Sequence, residues 1–254
     1  AVAEEADIVF ISVPNSKISL KTTQGKDGYL AFSPGLAPEV VIDTTTSDPN
    51  DSRKHALLCK KKKVTYLDGS VSGNSGFVAQ REGLFLVGGS KRAYNKVAPL
   101  LGQMLSDYIY CGKSGSGAEL KVTVNYLTTM GRCVISEILR VGLGCGFSKN
   151  FLLDALGRSR VGGWAQFQTQ APLMVHEKFS KPMSTLDVQM KDIQLGVNLA
   201  NQVGAISPVG DACIPLYKEG IDAGYGELDG ISVYKTYVDR ENKKTKRRSK
   251  KTSR

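Results

Sequence analysis

The stretch YIYCGKSGSGAELKVTVN, Tyr108 to Asn125, is the turning point of the sequence. Upstream of it, short runs rich in β-branched and aromatic residues alternate with helical stretches: IVFISV (Ile8 to Val13), VVID (Val40 to Asp43), VTYLD (Val64 to Asp68) and LFLVGG (Leu84 to Gly89), with YIY (Tyr108 to Tyr110) as the last. That rhythm predicts an α/β domain, and the lack of polar alternation within the runs suits a parallel sheet covered on both faces. Asp48-Pro49 starts a helix that reaches towards Lys63, and Lys91 to Met104 carries another. Downstream, Ala118 to Leu143 has apolar residues at helical spacing. Further helices are expected near Asn150 to Leu156, Leu186 to Val203 and Ile214 to Ala223.

The loop inside the quoted stretch invites a phosphate-binding reading, because Gly112-Lys113-Ser114 ends like G-x-x-x-x-G-K-[ST]. The position of the first glycine holds Asp107, so that reading fails. Gly115 and Gly117 instead allow a tight entry into the following helix. One turn in lies Lys121, and Asn125 follows four residues later on the same face. A lysine and an amide together can hold and polarise a hydroxyl or carbonyl oxygen. A lysine in a partly dehydrated cleft has its charged form disfavoured, which brings proton exchange within reach of neutral pH.

Composition removes several alternatives. With 254 residues and 41% hydrophobic content the chain can bury a core, and no apolar run has the length of a transmembrane helix. Five scattered cysteines without a C-x-x-C pair suggest neither a disulfide framework nor a zinc site, but small buried residues in a reducing compartment. His55 and His176 are the only histidines; each reads as a surface or packing residue, and no metal site is expected. The formal charge of +10 sits mainly in KKTKRRSKKTSR, residues 243 to 254, which hold eight Lys or Arg; without them 26 bases face 24 acids. Nucleic-acid contact is therefore arguable only through this tail, which is expected to be a disordered extension over 239 to 254.

The segment GSGAELKVTVN is similar to the G-x-G-x-x-x-K-x-x-x-N motif of the β-hydroxyacid dehydrogenases, the group that contains the 3-hydroxyisobutyrate dehydrogenases and the tartronate semialdehyde and glyoxylate/succinic semialdehyde reductases. Other segments agree in order. ADIVFISVP (Ala6 to Pro14) looks like that family's fourth sheet strand, and VIDTTTSDP (Val41 to Pro49) resembles D-x-S-T-x-x-P. DGSVSGN (Asp68 to Asn74) resembles D-A-P-V-S-G-G, and MKDIQLG (Met190 to Gly196) resembles K-D-L-x-L-A.

The resemblance implies an N-terminally truncated Rossmann-type parallel sheet, residues 1 to 113, followed by an all-α C-terminal domain, 114 to 238. The G-x-G-x-x-G strand-turn-helix of roughly 60 residues is expected upstream of Ala1. GLGCG (Gly142 to Gly146) ends a helix and does not replace it. An unpaired apolar sheet edge, weak cofactor binding and a tendency to aggregate follow as expectations for residues 1 to 254 alone.

The implied activity is NAD- or NADP-dependent oxidoreduction of a small β-hydroxy acid or its semialdehyde. Lys121 is implied as general acid/base and Asn125 as holder of the reacting oxygen. Ser72, Gly73 and Asn74 are placed on the substrate carboxylate, Val13, Pro14 and Thr46 beside the nicotinamide, and Lys191 near cofactor and substrate. Asp192 is expected to orient its neighbours. Asn74 replaces the family's second glycine, bringing a side chain with hydrogen-bonding groups. Ser184 stands where many relatives carry an aromatic, and Trp164 reads equally as a pocket or a core residue.

The implied assembly is a homo-oligomer, dimer or tetramer, without membrane attachment. The expected location is cytoplasmic, with mitochondrial and nuclear addresses left open. Phosphogluconate dehydrogenases carry a histidine where this chain has Val124, and imine reductases generally lack the lysine. The alternative is a non-catalytic scaffold relative, directed to nucleic acid or chromatin by the basic tail; Lys121 argues against it.

Overall fold

The computed structural model describes residues 5–24, 28–30, 38–159 and 164–252, with side chains as far as 244. It divides into two compact units, Ala1–Val124 and Asn125–Arg254. The sequence reading draws the boundary earlier, at the Gly112 to Gly117 loop.

The first unit runs β1 (Ile8–Ile11), α1 (Ser16–Gln24), β2 (Val40–Asp43), α2 (Pro49–Lys61), β3 (Thr65–Ser72), α3 (Ser75–Ala79), β4 (Leu84–Gly89), α4 (Lys91–Met104) and β5 (Asp107–Gly112), then enters α5 (Ser116–Gly144). The expected strands all form. Capping explains the sharp helix starts: Asp48 accepts Asn50 N–H ahead of Pro49, and Ser90 accepts Ala93 N–H.

The sheet order is β1-β2-β3-β4-β5. Parallel pairing dominates the sheet, as expected, with one antiparallel pair that makes it mixed. β1, β2 and β3 are mutually parallel, β4 is antiparallel to β3, and β5 is parallel to β4. The short connection through α3 decides this, since a parallel partner needs a crossover of a dozen or more residues. A strand-length apolar run reads the same in either direction.

Alternate residues of the strands feed two cores. Val40, Ile42, Leu67, Phe85 and Val87 pack with Tyr94, Val97 and Leu101 of α4. Val41, Tyr66 and Ile11 pack on the other face with Cys59 of α2.

The second unit is helical: the remainder of α5, then α6 (Lys149–Arg158), α7 (Ala165–Val175), α8 (Leu186–Gln202), α9 (Pro208–Gly220) and α10 (Val233–Thr252). Ile135, Leu139, Phe167, Met174 and Tyr234 centre one apolar cluster, and Leu186, Ile193, Leu216, Tyr217 and Val233 another. Trp164 is 38% exposed and lies against Gly131, so it is neither fully in the core nor clear of it.

Where the sequence reading expects a disordered extension, the described backbone continues as helix to Thr252. Lys and Arg are good helix formers, and propagation from an already formed turn is inexpensive.

Candidate functional site

In the first unit, the expected site residues gather at the carboxyl ends of the parallel strands β1 to β3. Val13 and Pro14 follow β1, Thr46 follows β2, and Ser72 ends β3 with Gly73 and Asn74 beyond it. Ligands of α/β sheets bind outside the carboxyl ends of strands, so this edge is the physically expected one.

The edge is anchored from beneath. Asp43, 1% exposed at the end of β2, accepts Thr45 N–H at 3.0 Å and the hydroxyls of Ser19 at 2.5 Å and Tyr66 at 3.0 Å. Thr45 Oγ1 in turn accepts Val13 N–H at 3.2 Å. One buried carboxylate thus ties the loop after β1, the loop after β2 and helix α1 together.

His55 joins the same network: its Nδ1 is 3.3 Å from Tyr66 Oη and 3.6 Å from Asp43, and its Nε2 is 2.9 Å from Thr23 Oγ1. Burial holds its pKa below the usual histidine value, against the pull of Asp43 and Asp51. It is a packing residue, as expected, but one committed to a polar network that the sequence reading did not anticipate. An acid inside the apolar run VVID was the available signal.

Gly73 has φ +141, a conformation that excludes most side chains and turns the chain out of β3. Asn74 caps α3, its Oδ1 accepting Phe77 N–H at 3.0 Å, a role that leaves its side-chain NH2 unused by the cap.

Lys121 lies in the second turn of α5 and is 8% exposed. The start of that helix is locked to the sheet by Asp68 of β3. Its carboxylate accepts Gly115 N–H at 2.8 Å and Ala118 N–H at 3.0 Å, supplying the negative charge that a helix N-terminus favours. Burial raises the Asp68 pKa, and the backbone donors pull it back down. Gly115 has φ +94, and a Cβ at Gly117 would fall within 3.0 Å of backbone atoms of Asp68, Leu86 and Gly88. The two glycines of the motif therefore have separate reasons, a left-handed turn and a close helix-to-sheet approach.

In the second unit, Asn125 donates from Nδ2 to Asp192 Oδ2 at 2.9 Å, while Lys191 Nζ is 3.1 Å from Asp192 Oδ1. Asp192 is 4% exposed and has both neighbours within reach of its carboxylate. The structure thus gathers Asn125, Lys191 and Asp192 in this unit. Ser184 Oγ accepts Gln189 Nε2 at 2.8 Å, and Gln189 Oε1 accepts Thr129 Oγ1 at 3.0 Å and is also bonded by the buried Arg132.

Comparison with known proteins covers both units. Residues 1–112 match the model described as NAD binding domain of 6-phosphogluconate dehydrogenase, and 115–237 match NAD-binding of NADP-dependent 3-hydroxyisobutyrate dehydrogenase. The chain is 25% identical over 236 residues to 2-(hydroxymethyl)glutarate dehydrogenase of Eubacterium barkeri, covering 93% of this chain and 77% of that protein. It is 28% identical over 255 residues to a probable mitochondrial 3-hydroxyisobutyrate dehydrogenase of Arabidopsis thaliana, covering 94% and 73%. In fold it matches the crystal structure of 3-hydroxyisobutyrate dehydrogenase from Salmonella typhimurium with a TM-score of 0.81 at 21% identity, covering 92% and 80%.

Proposed function

The chain belongs to the β-hydroxyacid dehydrogenase family, and from that membership we propose that it serves hydride transfer between NAD or NADP and a small β-hydroxy acid or its semialdehyde, with Lys121 moving the proton. The observation that carries this reading is the placement of Lys121. It is buried on α5, one turn past a helix start that Asp68 fixes to the sheet and one turn before Asn125.

The edge at the ends of β1 and β2 suits the nicotinamide end of the cofactor, because its backbone is held by the Val13–Thr45–Asp43 chain of hydrogen bonds. Val13, Pro14 and Thr46 would border the cofactor there. When bound, the cofactor supplies or accepts the hydride.

In reduction, Lys121 Nζ gives its proton to the carbonyl oxygen of the semialdehyde; in oxidation it takes the hydroxyl proton. Asn125 holds the same oxygen, its amide orientation set by Asp192. The substrate carboxylate meets the turn Ser72-Gly73-Asn74, where backbone N–H groups are suited to it, and the Asn74 side-chain oxygen caps α3. Lys191, paired with Asp192, brings a partly neutralised charge to cofactor and substrate.

Association of two or more copies fits an exposed apolar stripe on α5, formed by Leu127, Val134, Ile138 and Val141 at helical spacing. Among the described residues no helix is long and apolar enough to cross a membrane.

The test is a panel of small β-hydroxy acids and semialdehydes with both cofactors, run on the protein and on Lys121→Ala. Turnover should fall about 100-fold or more with circular dichroism unchanged. Near-normal turnover in the variant would remove Lys121 from the chemistry.

A further inference from the structure

Because the sheet is mixed, it has two carboxyl edges. β1 to β3 end at the edge described above; β4 and β5 end at the opposite one, where β3 begins. The rule that ligands sit outside the carboxyl ends of parallel strands applies to both parallel sets, β1 to β3 and β4 with β5. A cavity of about 500 Å3 opens at this second edge, within the size range of small-molecule sites.

Its chemistry is one-sided. Arg53 and Lys60 of α2 and Lys113 after β5 line it, and no carboxylate does. Glu119 engages one nitrogen of Arg53 and Asn50 another, which holds that guanidinium in place against Gly115 and leaves an excess of positive charge in the wall. With Arg53 offset by Glu119, the excess positive charge of the wall comes from Lys60 and Lys113, and a concave surface of one sign of charge favours an anion. The hydroxyls of Thr65 and Ser114 add hydrogen-bonding groups to the lining. Part of the wall is apolar: Leu57, 63% exposed, and Val64. The start of α5, by contrast, is already served by the carboxylate of Asp68 and is not available to an outside anion.

We propose that this cavity is a binding site for a small phosphate monoester, with the phosphate on Lys60 and Lys113 and its apolar part on Leu57 and Val64. Lys60 and Lys113 suit a phosphate as point charges, while Arg53, its fork held by Glu119 and Asn50, lines the wall beside them. Lys113 and Ser114 lead directly into α5, the helix that carries Lys121, so occupancy touches the segment that sets the start of that helix. The site is separate from the carboxyl edge of β1 to β3, and its test reads binding rather than turnover, so it stands or falls independently of the catalytic reading.

The test is isothermal titration of the full chain with phenyl phosphate at constant ionic strength, with excess NAD, which carries no phosphate monoester, present to fill the cofactor edge. Saturable binding of one phenyl phosphate per chain is expected, with benzoate weaker. The variant Lys60→Glu/Lys113→Glu, at two exposed positions, should bind at least about tenfold more weakly with an unchanged melting temperature. Leu57→Asp should weaken phenyl phosphate more than inorganic phosphate. Absence of saturable binding, or equal affinity in the charge-reversed variant, would overturn the proposal.

Discussion

Asp68, in the middle of β3, accepts the backbone N–H of Gly115 at 2.8 Å across 47 residues of sequence. The same carboxylate accepts Ala118 N–H through its other oxygen, so both of its oxygens serve the start of α5. Asp68 is 1% exposed, and the register places it beside Asp43 on the neighbouring parallel strand. Two buried acids thus organise the unit: one seats the helix that bears Lys121, the other the loops after β1 and β2.

Asp68→Asn turns one acceptor into an NH2 donor that faces another N–H. A loss of about 1–3 kcal/mol is expected, the cost of leaving a buried donor unpaired. Urea unfolding measures it. A variant as stable as the parent would show that Asp68 is not the seat of α5.

Gly117→Ala places a methyl group against backbone atoms of β3 and β4, which cannot rotate away. Destabilisation of about 1–3 kcal/mol is expected, with loss of turnover because α5 must shift. Gly157→Ala in α6 is the control: nothing lies within 4 Å of its Cβ, and about 0.5–1 kcal/mol of stabilisation should result. Comparable melting temperatures for the two variants would contradict the packing described.

Asn125→Ala removes the donor to Asp192 and leaves a buried carboxylate with Lys191 as its remaining described partner. A stability loss of about 1–3 kcal/mol is expected, with a larger fall in kcat than rise in KM if Asn125 also holds the reacting oxygen. A change in KM alone would confine Asn125 to substrate binding.

The His55 network predicts a pH dependence. Its folded pKa is lowered from 6.5, so between the folded value and 6.5 the unfolded chain binds a proton that the folded one does not. Stability therefore rises with pH through that window and falls as the pH drops below about 6.5. Denaturation midpoints at pH 7.5, 6.5 and 5.5 should decline in that order, and His55→Gln, though less stable throughout, should have a flatter profile. An equal slope in the variant would assign the effect to other groups.

The sequence by itself determined the α/β-then-helical order, the five strands, the ends of α4 and the motif lysine with its partner asparagine. These features are written locally: apolar periodicity, caps, and glycines at fixed distances from Lys121. Tertiary structure decided the rest. The antiparallel β4 depends on a chain reversal through α3, not on strand composition. Asn74 became a helix cap because a short helix happens to begin behind it, and Asp43 and Asp68 became anchors because the strands carrying them pair in register. The second carboxyl edge, with its basic cavity, exists only because that reversal points β4 and β5 the other way. A residue's type sets what bonds it can make; which partner it meets across tens of residues is settled by the packing of the whole unit.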